Sequence, residues 1–281
     1  MFPENIGKHL SLDETSVSQG ELYTILTNKS AKGKQGSIVA IIAGTSSETV
    51  RFHLEKISIN LRKKVEEITL DMAGSMNNIA QYSFPNAVLV TDRFHVQKLA
   101  TEAVQEIRIK HRWDAIDMEN DAIDKAKKNR KAFHPLILEN GDTVKQLLAR
   151  SRYVLYKNDT KWTASQKERA KLLFNLYPDI ASAYQLSQKL SWIYENTKDK
   201  IYGYTRLAQW HETVAKAGFK SFNTISRTIK NHYKTILNYF DNRSTNASAE
   251  SFNAKIKAFR SQFRGVRNID FFLFRLCQIY A

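Results

Sequence analysis

The stretch "SIVAIIAG", residues 37–44, limits what this chain can fold into more than any other. A continuous apolar run this short is the pattern of a central strand. Two strand-like segments precede it. "KHLSLDET" alternates, with Leu10 and Leu12 on one side and Ser11 and Asp13 on the other, and "ELYTILTN" is rich in strand-favouring residues. The turn "NKSAKGKQG" leads into the apolar run, so three strands with short connections predict an antiparallel meander.

Helix follows. "TSSE" at 45–48 fits a capping box with Thr45 as N-cap and Glu48 reaching back. Val50, Leu54, Ile57, Leu61 and Val65 then recur at helical spacing, which predicts one amphipathic helix of about five turns. "EITLDM" reads as a fourth strand with Asp71 at its end, "SMNNIAQYS" as a short helix stopped before Pro85, and "NAVLVTD" as a fifth strand. The order β-β-β-α-β-α-β predicts an α/β fold on a mixed sheet over residues 1–96.

From 97 to 243 helical patterns dominate, and the polar run "RWDAIDMENDAIDKAKKNRKAF" predicts an exposed arm. Trp162, Trp192 and Trp210 fall in this region. They read as helical core, with base stacking as the alternative. Residues 244–281 predict a basic helix, a turn at Gly265 and an apolar helix.

The chain has 281 residues and carries 43 Lys and Arg against 28 Asp and Glu, a net charge of +15. An excess of this size points to a polyanion, because neutralising phosphates releases counterions. The single cysteine, Cys277, leaves no disulfide framework and no thiolate zinc site. The N-terminus lacks the signal-peptide pattern and no apolar run approaches the roughly 18 residues that span a membrane. A cytoplasmic protein without membrane contact is expected.

Three acids stand out by position. Asp13 lies on the polar side of the first strand and Asp71 ends the fourth. A meander followed by a helical crossover makes those strands neighbours, which sets the two carboxylates side by side. Such a pair repels unless a cation lies between or one takes a proton, and Mg²⁺ suits it because that ion needs few protein carboxylates and keeps its waters. The third acid is Glu250, on a helix that places Phe252, Ile256, Phe259 and Phe263 on one face and Glu250, Asn253, Lys257 and Arg264 on the other. From spacing alone, a surface carboxylate on an amphipathic helix accounts for Glu250 better than a metal ligand does. Glu14 is expected on the opposite face of its strand and outside any site. Asp92 and His95, in "NAVLVTDRFHV", close an apolar strand, where unpartnered polar groups cost roughly 2–7 kcal/mol each.

Taken together, the strand order, "LSLDE", "ITLDM", "FPNAVLVTDRFHV" and "NASAESFNAKIKAFR" resemble the DDE transposases of bacterial insertion sequences, and among them the ISL3 family. The resemblance covers nearly the whole chain. It implies an RNase H-like catalytic domain interrupted by an all-helical insertion, 97–243, before the helix of the catalytic Glu in 244–281. It implies that Asp13, Asp71 and Glu250 are the catalytic, metal-binding triad, with Asp92, His95 and Asn253 in support. Asp92 competes with Asp71 for the place of second ligand, and Asp71 is favoured because the fourth strand is the one expected beside Asp13.

The implied chemistry is two-metal phosphoryl transfer with two Mg²⁺ about 3.5–4 Å apart, Mn²⁺ being able to substitute. The implied partners are DNA, as element ends and as target, and a second copy of the chain on that DNA, near the nucleoid. Lys255, Lys257, Arg260, Arg264 and Arg267 are the candidates for phosphate contacts. Full-length members begin with a zinc-binding segment and a helix-turn-helix, whereas here Asp13 lies close to Met1 with no Cys or His cluster before it. Either those functions lie on a separate DNA-binding protein, which is the expectation carried forward, or the gene is truncated, or the protein has been put to another use. The competing expectations are a structure-directed nuclease of the same fold and a nonenzymatic DNA-binding remnant.

Overall fold

The computed structural model describes residues 1–18, 21–263 and 268–281, with the backbone alone at 17 and 18. Three strands, β1 (His9–Ser18), β2 (Glu21–Asn28) and β3 (Ile38–Ala43), are followed by α1 (Ser47–Leu54), α2 (Ile59–Arg62), β4 (Glu67–Leu70), α3 (Gly74–Ser83) and β5 (Val88–Thr91). Helices make up the remainder: α4 (Arg93–Lys128), α5 (Val144–Arg150), α6 (Ala164–Leu176), α7 (Pro178–Asn196), α8 (Lys200–Ala217), α9 (Lys220–Asn231), α10 (Tyr233–Leu237), α11 (Tyr239–Asn242), α12 (Ala247–Gln262) and α13 (Ile269–Tyr280). The chain divides into two compact units, one of residues 1–96, 198–200 and 231–281, the other of 97–197 and 201–230.

The first unit is built on one five-stranded mixed sheet in the order β3-β2-β1-β4-β5, so β3, expected as a central strand, is an edge strand whose apolar run reflects cover on both faces, over Val39 on one and Ile38 on the other. The meander pairs antiparallel, and β1, β4 and β5 run parallel. Alternation along β1 and β4 sends Leu10, Leu12, Ile68 and Leu70 to one face, where they are buried with Val50, Leu54, Ile57, Met76, Ile79 and Phe84. On the other face Ile25 and Ile38 pack against Phe252 and Ile256 of α12 and Phe272 and Leu276 of α13. The stripe expected on the α12 helix is therefore its core face. Residues 231–243 belong to this unit: Thr235 of α10 shares a hydrogen bond with Thr91 (2.7 Å), and the Asn238 amide donates to the Leu89 carbonyl (2.8 Å).

The single helix expected over 50–65 is two helices with a turn at 55–58. Ser58 caps α2 by accepting from the Asn60 amide, and buried Arg62 donates to the carbonyls of Ile57 (3.0 Å) and Ser83 (2.7 Å). The guanidinium thus satisfies a carbonyl that an unbroken helix would bond internally. Val50, Leu54, Ile57 and Val65 are buried all the same, because the turn keeps the apolar stripe facing the sheet. The expected capping box is absent: the N-cap is Ser46, with no side-chain cap bond.

The second unit is helical. Trp210 is fully buried, its indole N–H donating to the Leu186 carbonyl (2.9 Å). Trp162 stacks on Tyr184 with ring centroids 5.5 Å apart. Trp192 is half exposed, with the Arg206 guanidinium 4.8 Å from its ring centroid. The polar run 112–133 is largely exposed, mostly as the end of one continuous α4. Among the described residues no helix is long and apolar enough to cross a membrane.

Because Phe252 is buried between α12 and the sheet, Phe252→Ala is expected to cost about 3–5 kcal/mol, read by urea denaturation. A loss under about 1 kcal/mol would contradict the packing described.

Candidate active site

The register of the parallel strands determines the site. Leu12 pairs with Leu70 and Leu70 with Thr91, so the residues that follow, Asp13, Asp71 and Asp92, stand in one row across three neighbouring strands. Strands lie about 4.8 Å apart, and open sheets bind ligands at the carboxyl ends of parallel strands. The Asp92 amide still bonds the Leu70 carbonyl (3.0 Å), which extends the ladder by one step. Its carboxylate begins α4, with Oδ1 accepting from the Phe94 amide (3.4 Å) in the manner of an N-cap.

His95, in the first turn of α4, turns back over this row. Its Nδ1 lies 3.2 Å from Oδ1 of Asp71. Asp13, Glu14, Asp71 and His95 line a cavity of about 190 Å³ with Ala73 and Met76. From α12, the Asn253 amide donates to Oδ2 of Asp13 (2.7 Å), and the buried N-cap residue Asn246 accepts from the Ser11 hydroxyl. These two bonds fix the first turns of α12 over β1 and bring in Glu250. Ligand atoms of Asp92, His95 and Glu250 lie within 4.8 Å of one another.

The electrostatics are those of crowded acids. Burial pushes the Asp13 carboxyl above its ordinary value and Asp71 adds to the rise, against the Glu14 amide, His95 and the Asn253 amide. Burial likewise raises Glu250, with Asp92 and Asp13 adding. Asp92 is 1% exposed. Among the described residues, Oδ2 of Asp92 and Oε1 of Glu250 are buried without a hydrogen-bond partner. Unpaired buried carboxylate oxygens are costly, and a cation between them removes that cost. The donor set is mostly hard oxygen, which suits Mg²⁺ or Mn²⁺.

Asp13, Asp71, Asp92, His95, Glu250 and Asn253 thus come together in the first unit. Glu14 corrects the sequence reading, since it lines the same cavity and is raised by burial, Asp13 and Asp71. Glu14 keeps its place in the ladder with β2, on the face of Leu12, but the parallel ladder of β1 with β4 ends at Leu12, so the cavity reaches past that edge to Ala73 and Met76 and takes in Glu14. The adjacent acid pair in "LDE" was the available signal. Of the cations on α12, Lys255 is tied to the turn after β2, donating to the Gly33 carbonyl (2.9 Å). Gly33 has φ 72°, and a Cβ there would stand 2.9 Å from the Lys255 ammonium, so the turn requires glycine. Lys257 is exposed, and Arg260 lies 5.3 Å from the Phe272 ring centroid. Arg264, Gly265 and Arg267 lie outside the described residues.

A family model described as "Transposase", that of the ISL3-type DDE transposases, matches residues 10–276. The chain belongs to this family. It is 22% identical over 274 residues to the transposase for insertion sequence element IS1001 of Bordetella parapertussis, covering 96% of this chain and 60% of that protein. It is 20% identical over 251 residues to the transposase for insertion sequence element IS1557 of Mycobacterium tuberculosis, covering 89% of this chain and 55% of that protein. The chain thus spans somewhat more than half the length of these relatives. No solved structure matches it.

Acids held this close predict a cation-dependent stability. Saturating Mn²⁺ or Mg²⁺ should raise the thermal midpoint, the gain being about 2.7 kcal/mol at a hundred times Kd. Asp92→Asn with Glu250→Gln should raise the midpoint of the metal-free protein and flatten the response to cation. Scanning calorimetry showing the same response in wild type and variant would contradict this site.

Proposed function

We propose that this chain is the catalytic domain of an insertion-sequence transposase, which cuts DNA strands at element ends and joins the freed 3′-hydroxyls to target DNA. The observation that carries the reading is the row Asp13, Asp71, Asp92 at the ends of parallel strands, with Glu250 brought over it by α12. On this reading the sheet unit is RNase H-like and the helical unit is an insertion before the Glu helix. Asp13, Asp71 and Glu250 hold the divalent cation, Mg²⁺ by preference. Bound there, such ions supply Lewis acidity, activating a water or 3′-hydroxyl and offsetting charge at the phosphorus.

The other residues position this set. Asn253 fixes the rotamer of Asp13 through its amide, and His95 orients Asp71, an outer-shell partner rather than a ligand, since imidazole is a poor match for Mg²⁺. Asp92, buried beside Glu250 with one carboxylate oxygen unpartnered, supports this set and competes with Asp71 for the place of second ligand. Lys257 and Arg260 face the DNA backbone, while Lys255 secures the turn at Gly33. Each transfer forms one phosphorus–oxygen bond and breaks another, so a nicked end keeps its 3′-hydroxyl for the joining step. Two ends handled together call for two copies of the chain, in the cytoplasm at the nucleoid.

The test is cleavage and joining of a labelled duplex carrying candidate element ends with Mg²⁺ or Mn²⁺. Asp13→Asn, Asp71→Asn and Glu250→Gln are expected to lose more than about a hundredfold, and His95→Ala and Asn253→Ala about 10–100-fold. Cleavage without joining would favour a nuclease of the same fold. Activity that survives Asp71→Asn but not Asp92→Asn would move the second ligand to Asp92.

A further inference from the structure

α8 and α9 are joined by Gly218 and Phe219 alone, and Gly218 takes the left-handed conformation (φ 72°) that ends α8. The orientation of α9 is set by its own packing. Phe222, Ile225, Ser226 and Ile229 are buried, and the Ser226 hydroxyl hydrogen-bonds Nδ1 of His211 on α8 (2.7 Å). At about 100° per residue that buried arc leaves Lys220, Asn223, Thr224, Arg227 and Lys230 on the opposite one, all exposed.

This face has no internal counter-charge. α9 contains neither Asp nor Glu. Among the described residues none of its three cations takes part in an ion pair. The exposed half of α4, in the same unit, is the contrast. There the acids Asp114, Asp117, Glu119, Asp121 and Asp124 share the helix with Lys125, Lys127 and Lys128; Lys127 pairs with Asp124 (3.8 Å), and Glu119 is met by Lys145 of α5 (2.6 Å). A merely solvated helix face looks like α4.

We propose that the outer face of α9 is a docking surface for the sugar–phosphate backbone of duplex DNA. Charge complementarity favours this occupant. Lysine, arginine, amide and hydroxyl are the groups that contact phosphate oxygens without reading sequence, and here they run along about 15 Å of helix. The choice of DNA over another polyanion rests on the function proposed above. The surface itself belongs to the helical unit and includes none of the acids of the sheet unit.

The experiment is fluorescence anisotropy of the full chain with a labelled duplex of arbitrary sequence, titrated across salt. The triple variant Lys220→Ala, Arg227→Ala, Lys230→Ala should bind at least tenfold more weakly at low salt. Its log K against log salt should be shallower by about 2–3, three phosphate contacts each contributing about 0.9. The matched variant Lys125→Ala, Lys127→Ala, Lys128→Ala in α4 should change the slope by less than about 1. Should the triple variant melt early, Arg227→Glu alone carries the same comparison. Wild type that binds with the triple variant unchanged overturns the α9 surface and leaves the proposed function standing; wild type with no affinity for DNA overturns both.

Discussion

Everything at the acidic site depends on the parallel pairing of β1 with β4. The register Leu12 to Leu70 to Thr91 makes the next residue on each strand an aspartate. A slip of one residue would turn Asp71 toward the apolar face and Leu70 toward the acids. What prevents the slip is the core itself: Leu10, Leu12, Ile68 and Leu70 are all fully buried on one face, and a one-residue slip of either strand would turn its pair out of that core. On the polar face Ser11 with Asn246 and Asn253 with Asp13 tie α12 to the same strand. The packing of hydrophobic side chains therefore aligns the carboxylates.

The site concentrates negative charge within a chain of net charge +15. Burial raises Asp13 and Glu250, with Asp71 adding to the first and Asp92 and Asp13 to the second. Among the described residues, relief comes from the backbone amides of Glu14, Met72 and Phe94, from His95 and the Asn253 amide, and from Lys29, whose ammonium bonds the Thr69 hydroxyl (2.7 Å) and acts on Asp92 from the same face of the sheet. A site left short of positive charge at its centre favours a cation between its acids.

Much of this was legible in the sequence. The alternation in "KHLSLDET" fixed the side chains of Leu10, Leu12, Ser11 and Asp13, and the meander followed by a crossover placed β4 beside β1. The apolar stripe of α12 put Glu250 and Asn253 on the polar side. The rest was hidden for physical reasons. The break between α1 and α2 depends on Arg62 reaching a carbonyl more than twenty residues away in sequence, at Ser83, as well as the near one of Ile57. Periodicity does not record such a tertiary bond. Strand parity put Glu14 on the other face, which excludes it only where the sheet separates the two faces, and past Leu12 β4 no longer pairs with β1. Lys255 read as a free cation because nothing local announces its bond to Gly33.

The most direct test of the central claim is to replace Mg²⁺ with Fe²⁺ and map backbone cleavage by the hydroxyl radicals it generates with ascorbate. Segments distant in sequence share one cation only if the register described here holds. Cuts are expected near Asp13, Asp71, Asp92–His95 and Glu250, and excess Mg²⁺ should suppress all of them together. Cuts confined to one of these segments, or falling elsewhere and unaffected by Mg²⁺, would show that the acids do not form a single site.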